Sequence, residues 1–235
     1  MKKNFLLHYL VYLFVIFFCL EMNAQWHHTM PYRSTFTDIQ FIDYQNGFAV
    51  GRDNGIGSCG PSLSAMFRTM DGGETWVRNA LSDSREFTSV YFLRPDLGWA
   101  SSYYGGTYRS TDCGATWTLY PSGIPQTVND IYFIDQNIGF AVAGEGHIRK
   151  STNGGLSWSF NFDAGSQTLN KVHFVNANLG FVVGSSGALL RTTNGGNTWT
   201  NYDLGVPASL FKMGVRNLTQ GSSIFDLHQQ LAPFP

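Results

Sequence analysis

Charge is what this sequence has least of. Only 13% of its 235 residues are Asp, Glu, Lys or Arg, and the net charge is −1. Without a basic excess, nothing points to nucleic acid or to an anionic membrane surface. Disorder is excluded as well, because it needs high charge and few aromatics, and aromatics here make up 15%. Cysteine is scarce: Cys19, Cys59 and Cys113 are the only three. Long apolar runs are missing too. The one extended run, Phe5 to Leu20, has 16 residues where a membrane span needs about 20. Glycine is plentiful, 26 residues, and together with the aromatics it suits short strands joined by tight turns.

The apolar run follows Met1-Lys2-Lys3 and precedes Glu21-Met22-Asn23-Ala24. A short positive start, an apolar stretch and a small residue read as a secretory signal covering residues 1–24. Residues 25–235 then form one domain, expected to be exported to a periplasmic, cell-surface or extracellular place. No stable membrane span is expected after cleavage.

A nine-residue stretch organises that domain. It occurs as Arg68 to Trp76, Arg109 to Trp117, Lys150 to Trp158 and Arg191 to Trp199. Its acidic or amide residues, Asp71, Asp112, Asn153 and Asn194, are each 41 residues apart. A fixed period of this size marks a repeat architecture. Asp or Asn opens a turn by accepting backbone N–H bonds. Gly73, Gly114, Gly155 and Gly196 supply the positive φ that the turn needs. Trp76, Trp117, Trp158 and Trp199 are expected to open the next strand with rings buried over the turn.

Around each copy lie four short alternating segments, the size of a propeller blade. The clear repeats are residues 39–80, 90–121, 131–162 and 172–203. The first carries ten extra residues between its second and third strands, within Arg52 to Ala65. A degenerate fifth unit spans 213–235. Its first strands are expected near Met213 to Val215 and Ser222 to Phe225, and a third near Leu227 to Leu231. Gln25 to Met30 reads as an orphan outer strand. The expected fold is therefore an all-β propeller of four blades plus a rudimentary fifth. It is either closed with five blades or open and truncated.

No catalytic set stands out. A glycosidase needs two facing carboxylates, and Asp43, Asp96 and Asp135 recur after the first strands as turn formers. His27-His28 lack metal-ligand spacing. No catalytic residue, metal or cofactor is expected. The turns between strands two and three, and the links between blades, share the face opposite the nine-residue turns. Variation concentrates there, so the candidate binding residues are Arg52, Asp53, Arg85, Tyr103, Tyr104 and Glu145. Cys59 and Cys113 fall on opposite faces, too far apart for a disulfide.

The stretch resembles the Asp box, Ser/Thr-x-Asp-x-Gly-x-x-Trp, of sialidases, sortilin-type receptors and the photosystem II assembly and stability factor propellers. The fuller pattern, Ile/Val-x-Phe then Gly-Phe-x-Val then the box, resembles the last of these over residues 26–203. That resemblance implies an exported, non-enzymatic module whose partner is another protein. The alternative implied by Asp-box glycosidases is glycan binding or hydrolysis. The Phe/Tyr-Arg-Ile/Leu-Pro segment of sialidases is missing.

Overall fold

A computed structural model describes residues 34–53, 63–79, 85–203, 209–217 and 223–229. The expected leader, the strand at residues 25–30 and Cys59 lie outside these. The first sheet comprises β1 (Ser34–Phe41), β2 (Gly47–Asp53), β3 (Leu63–Thr69) and β4 (Val77–Asn79). The second has β5 (Phe87–Arg94), β6 (Leu97–Ser102), β7 (Gly106–Ser110) and β8 (Thr118–Pro121). The third has β9 (Val128–Phe133), β10 (Gly139–Ala143), β11 (His147–Ser151) and β12 (Ser159–Asp163). The fourth has β13 (Leu169–Phe174), β14 (Gly180–Gly184), β15 (Ala188–Thr192) and β16 (Thr200–Asp203). Each is an antiparallel meander with neighbours in chain order, as short strands with tight turns dictate. A two-stranded fifth sheet follows, β17 (Leu210–Asn217) and β18 (Ser223–Gln229). Residues 227–229 belong to β18 instead of a third strand, because the hairpin pairs from Asn217↔Ser223 out to Leu210↔Gln229.

The blades hold together through their second strands. Phe48 of the first blade stacks on Phe92 of the second at 3.5 Å between centroids and 13° between planes. Trp99 stacks on Phe133 at 3.6 Å and 8°, and Phe140 on Phe174 at 4.8 Å and 26°. Each receiving Phe lies over the glycine that opens its own second strand, and a Cβ at Gly98, Gly139 or Gly180 would run into that ring. The second strands are consequently buried at every residue of β6, β10 and β14. First strands add a polar tie. Thr37 donates to the Phe87 carbonyl at 2.7 Å, Thr88 to that of Val128, Asn129 to Leu169 at 2.8 Å and Asn170 to Leu210 at 2.9 Å. The last of these puts β17 where the first strand of a fifth blade belongs.

Among the described residues, blade one has no such neighbour on its leading side. Val90, Ile131 and Val172 are at most 4% exposed, whereas the equivalent Ile39 is 57% exposed. Phe92, Phe133 and Phe174 are likewise buried, whereas Phe41 is 45% exposed. Among the described residues no strand pairing joins the first and last sheets, and residues 25–30, expected to close the ring, lie outside them.

The box tryptophans differ from expectation. They sit just before the fourth strand, and Trp76, Trp117 and Trp158 are half-buried, with only Trp199 buried. Each packs edge-on against the Phe of its own first strand at 5.6–6.0 Å. That contact leaves the outer rim of the indole in solvent. Phe133→Ala should cost about 3–5 kcal/mol, as for other buried aromatics. Phe41→Ala should cost less than half of that in chemical denaturation, because its leading side is already wet.

One position of the box turn is strained in blade two. Gly72, Gly154 and Gly195 have φ of 76°, 75° and 67°, and blade two places Cys113 there with φ 59°. A side chain in this left-handed region costs roughly 1–2 kcal/mol, partly offset by glycine's greater freedom when unfolded. Cys113 is a free thiol. Cys113→Gly should raise the stability by up to about 1 kcal/mol, read from the denaturation midpoint.

Candidate functional site

The box turns are committed to holding the fold. In blade one the Thr69 hydroxyl donates to Asp71 at 2.6 Å and accepts the Gly73 N–H at 2.8 Å, while Asp71 accepts the Thr75 N–H at 2.9 Å. Ser110 with Asp112 and Gly114 repeats the arrangement in blade two. Ser151 with Asn153 and Gly155, and Thr192 with Asn194 and Gly196, repeat it in blades three and four. The carbonyls of the turn then receive donors from the preceding blade. Arg68 donates to Cys113 at 3.2 Å, Trp99 to Gly154 at 2.8 Å and Lys150 to Gly195 at 3.0 Å. The side chains of Asn79 and Asn161 donate to Gly114 and Gly196. The basic box residues Arg68 and Lys150 are thus inter-blade ties, and Trp99 makes the tie from blade two. Arg191, the last of the series, turns to the Tyr202 hydroxyl of its own blade at 3.3 Å.

Hydrogen bonds from Thr69 and Thr75 pull the Asp71 pKa down to about 2. At Asp112, burial pushes upward, but bonds from Thr116, Ser110 and Ala115 outweigh it and the pKa is again lowered. A carboxylate held below its unfolded range stabilises the fold while ionised, and loses that contribution as pH falls from the ordinary 3.8 through the folded value. Blades three and four show that Asn serves equally: its amide donates to Ser157 or Thr198 at 2.8 Å where Asp accepts from Thr75 or Thr116. The double variant Asp71→Asn/Asp112→Asn should keep the neutral-pH melting temperature and flatten its decline between pH 3.8 and about 2.

A second polar cluster joins the first strands. Asp38, Ser89, Asp130 and Lys171 occupy one register, one per blade. Ser89 donates to Asp38 at 2.7 Å and is 2.6 Å from Asp130. Its single proton serves one carboxylate at a time. Lys171 lies 2.9 Å from Asp130 and 3.8 Å from Asp38, so it links the fourth blade to the first. Asp130 also accepts the Val172 N–H at 2.9 Å. Burial raises the Asp130 pKa against the pull of Lys171. Burial also opposes the Lys171 charge, but the two carboxylates prevail and raise its pKa. These two carboxylates face each other with an ammonium between them, which makes them structural. They escaped notice in the sequence because each lies in a different repeat. Aligning the residue before Val90, Ile131 and Val172 would have shown Asp, Ser, Asp and Lys in one register.

The opposite face carries the sequence-nominated residues. Tyr103 and Tyr104, their rings 6.3 Å apart, cap the turn from β6 to β7. Tyr104 is 76% exposed with φ 58°, and Gly105 follows with φ 72°. Two successive positive φ values are the signature of a type I′ hairpin turn, which favours Asn or Gly. Glu145 and Ser186 stand in the same conformation at the same place in blades three and four. Glu145 accepts from the Gln126 side chain and lies 3.8 Å from His147. Arg52 at the end of β2 lies 3.9 Å from Glu86, and Arg85 is half-buried with its carbonyl accepting from Ser64. Asp53 closes β2, and its side chain lies outside the description. Asp43 and Asp135 cap their turns by accepting N–H bonds. Asp96 differs and pairs with Arg94 at 2.7 Å, because blade two turns in only two residues.

The sequence model of the family described as Photosynthesis system II assembly factor YCF48 matches residues 110–210. Among solved structures, one described as YCF48 bound to D1 peptide has a TM-score of 0.50 at 17% identity, covering 79% of this chain and 87% of that one. YCF48 from Cyanidioschyzon merolae gives 0.57 at 21% identity, covering 73% of this chain and 54% of that one. The GH74 enzyme of Niastella koreensis gives 0.57 at 17% identity, covering 71% of this chain and 30% of that one. The chain thus spans about half of the second protein and under a third of the enzyme. No curated protein matches the chain. It is an Asp-box propeller of the BNR type that resembles the photosystem II assembly factor family.

Proposed function

We propose that this chain is an exported, non-enzymatic module that binds another protein through the face opposite its box turns. The observation that carries the reading is Tyr104. A phenol ring stands largely in solvent on a backbone conformation that costs a non-glycine residue roughly 1–2 kcal/mol. Strain of that size at an exposed aromatic suits a binding role better than a folding one. The box turns, by contrast, accept donors of the preceding blade at their carbonyls. The match to an assembly factor family, and a relative described with a bound peptide, support a protein as the partner. Export rests on the leader-like residues 1–24.

A second reading, glycan binding or hydrolysis, draws on the GH74 likeness, which extends to the fold alone. The carboxylates closest to a facing pair, Asp38 and Asp130, are tied to Ser89 and Lys171. The double variant Tyr103→Ser/Tyr104→Asn should abolish capture of the native partner in pull-downs from the envelope or medium, at unchanged melting temperature, since Asn accepts the left-handed turn. Undiminished capture would place the site elsewhere. Turnover on a glycosidase panel would favour the second reading.

A further inference from the structure

Beyond that face, we propose a second binding site, on the box side of blade one, that takes the indole of a partner protein's tryptophan. The other blades show what fills such a site. Blades two, three and four each receive a ring from the blade before: Phe48 over Phe92, Trp99 over Phe133 and Phe140 over Phe174. Each ring also covers the second glycine of the receiving box. A Cβ at Gly114, Gly155 or Gly196 would come within 3.0 Å of Phe48, Trp99 or Phe140.

Blade one has the walls of this socket and, among the described residues, receives no ring. Phe41 lies over Gly47 as Phe133 lies over Gly139. Trp76 meets Phe41 edge-on at 6.0 Å and 84°, much as Trp158 meets Phe133 at 5.8 Å and 73°. The atoms nearest to a Cβ at Gly73 would be those of its own blade, Phe41 at 3.6 Å and Trp76 at 3.7 Å. Gly73 is half-buried, whereas Gly114, Gly155 and Gly196 are buried. The carbonyl wall is present as well. Gly72 has φ 76° and its equivalent Gly154 has φ 75°. Thr69, Asp71 and Gly73 bond the turn as Ser151, Asn153 and Gly155 do. The Gly154 carbonyl accepts from Trp99, and those of Cys113 and Gly195 accept from Arg68 and Lys150. Gly72 is exposed, and among the described residues its carbonyl has no donor.

The occupant of blade three decides the ligand. Phe48 and Phe140 bring a ring alone, while Arg68 and Lys150 bring the donor on a separate side chain. Trp99 brings both. It stacks on Phe133 at 3.6 Å and 8°, and its Nε1 donates to Gly154 at 2.8 Å. One side chain arriving from outside must do the same. Indole is the aromatic ring that donates and accepts nothing. A phenyl ring would stack on Phe41 but leave the Gly72 carbonyl without its bond. The site thus continues, one step further round, the interface that already joins the blades. The tips beside it are apolar in this blade: Tyr44 and Met70 are exposed where blade three has Gln136 and Thr152. The Gly72 N–H donates to the Gln45 carbonyl at 2.9 Å, so the two turns adjoin.

Titrating the full chain with N-acetyl-tryptophanamide, followed by NMR of the Phe41 ring and the Gly72 and Gly73 amides, tests this. Saturable shifts are expected there at millimolar ligand, and none at Tyr103 or Tyr104. N-acetyl-1-methyltryptophanamide keeps the ring and loses the donor, and should bind about fivefold more weakly. Phe41→Leu, with an otherwise unchanged amide spectrum, should weaken binding by about tenfold or more. Tyr103→Ser/Tyr104→Asn should leave it as it is. Absence of shifts at Phe41, Gly72 and Gly73, equal binding of the methylated ligand, or undiminished binding by Phe41→Leu overturns the proposal. Shifts of the same signals with protein concentration alone would assign the surface to a second copy, and overturn it too. Failure here leaves the Tyr103–Tyr104 face untouched, because the two sites lie at opposite ends of the strands.

Discussion

Every feature of this molecule depends on one contact, the stacking of an aromatic ring from one blade's second strand onto the first-strand Phe of the next. A four-stranded meander of short strands cannot bury both of its faces alone, and stacking is what hides them. The contact sets the spacing of neighbouring sheets. It requires glycine at the start of each second strand, since a Cβ there would meet the ring of Phe92, Phe133 or Phe174. Once the sheets are that close, the carbonyls of a box turn fall within reach of Arg68, Trp99 or Lys150 of the blade before. The ring stack brings the burial energy, and the polar ties fix the register.

The same logic separates the two faces. Turns between strands three and four are consumed by inter-blade bonds, so their sequence hardly varies from repeat to repeat. Turns between strands two and three bond to the adjoining links between blades mostly through their backbone, which leaves the tip side chains free to vary. Tyr104, Glu145 and Ser186 differ chemically while sharing one backbone conformation. A common scaffold with unlike tips is how a repeat protein gains a recognition surface without disturbing its core.

The ends of the array break the pattern. Blade one has no predecessor among the described residues, and Ile39 and Phe41 are exposed where their counterparts are buried. Arg191 shows the reverse, a tie that bonds within its own blade. Across the centre, Lys171 reaches Asp38 and holds the fourth blade to the first. A buried carboxylate such as Asp130 is tolerable only because that ammonium, Ser89 and the Val172 N–H meet it together.

The 41-residue period, the box residues and the four strands around each box were legible in the sequence, because they are local and periodic. Alternation places a residue on one face of a strand, and a turn needs its Asp, Asn or Gly nearby in the chain. The turn role of Asp43 and Asp135 was legible for the same reason, whereas that of Asp96 was not, since the tighter Pro95-Asp96 turn hands its carboxylate to Arg94. Tyr103, Tyr104 and Glu145 could be placed on one face by strand counting alone. What the sequence could not convey was any relation between repeats at a distance. The partial exposure of the box tryptophans, the sharing of Ser89 by Asp38 and Asp130, and the exposure of Ile39 and Phe41 all depend on which elements pack against each other in space. Those contacts join residues far apart in the chain, and no single residue encodes them.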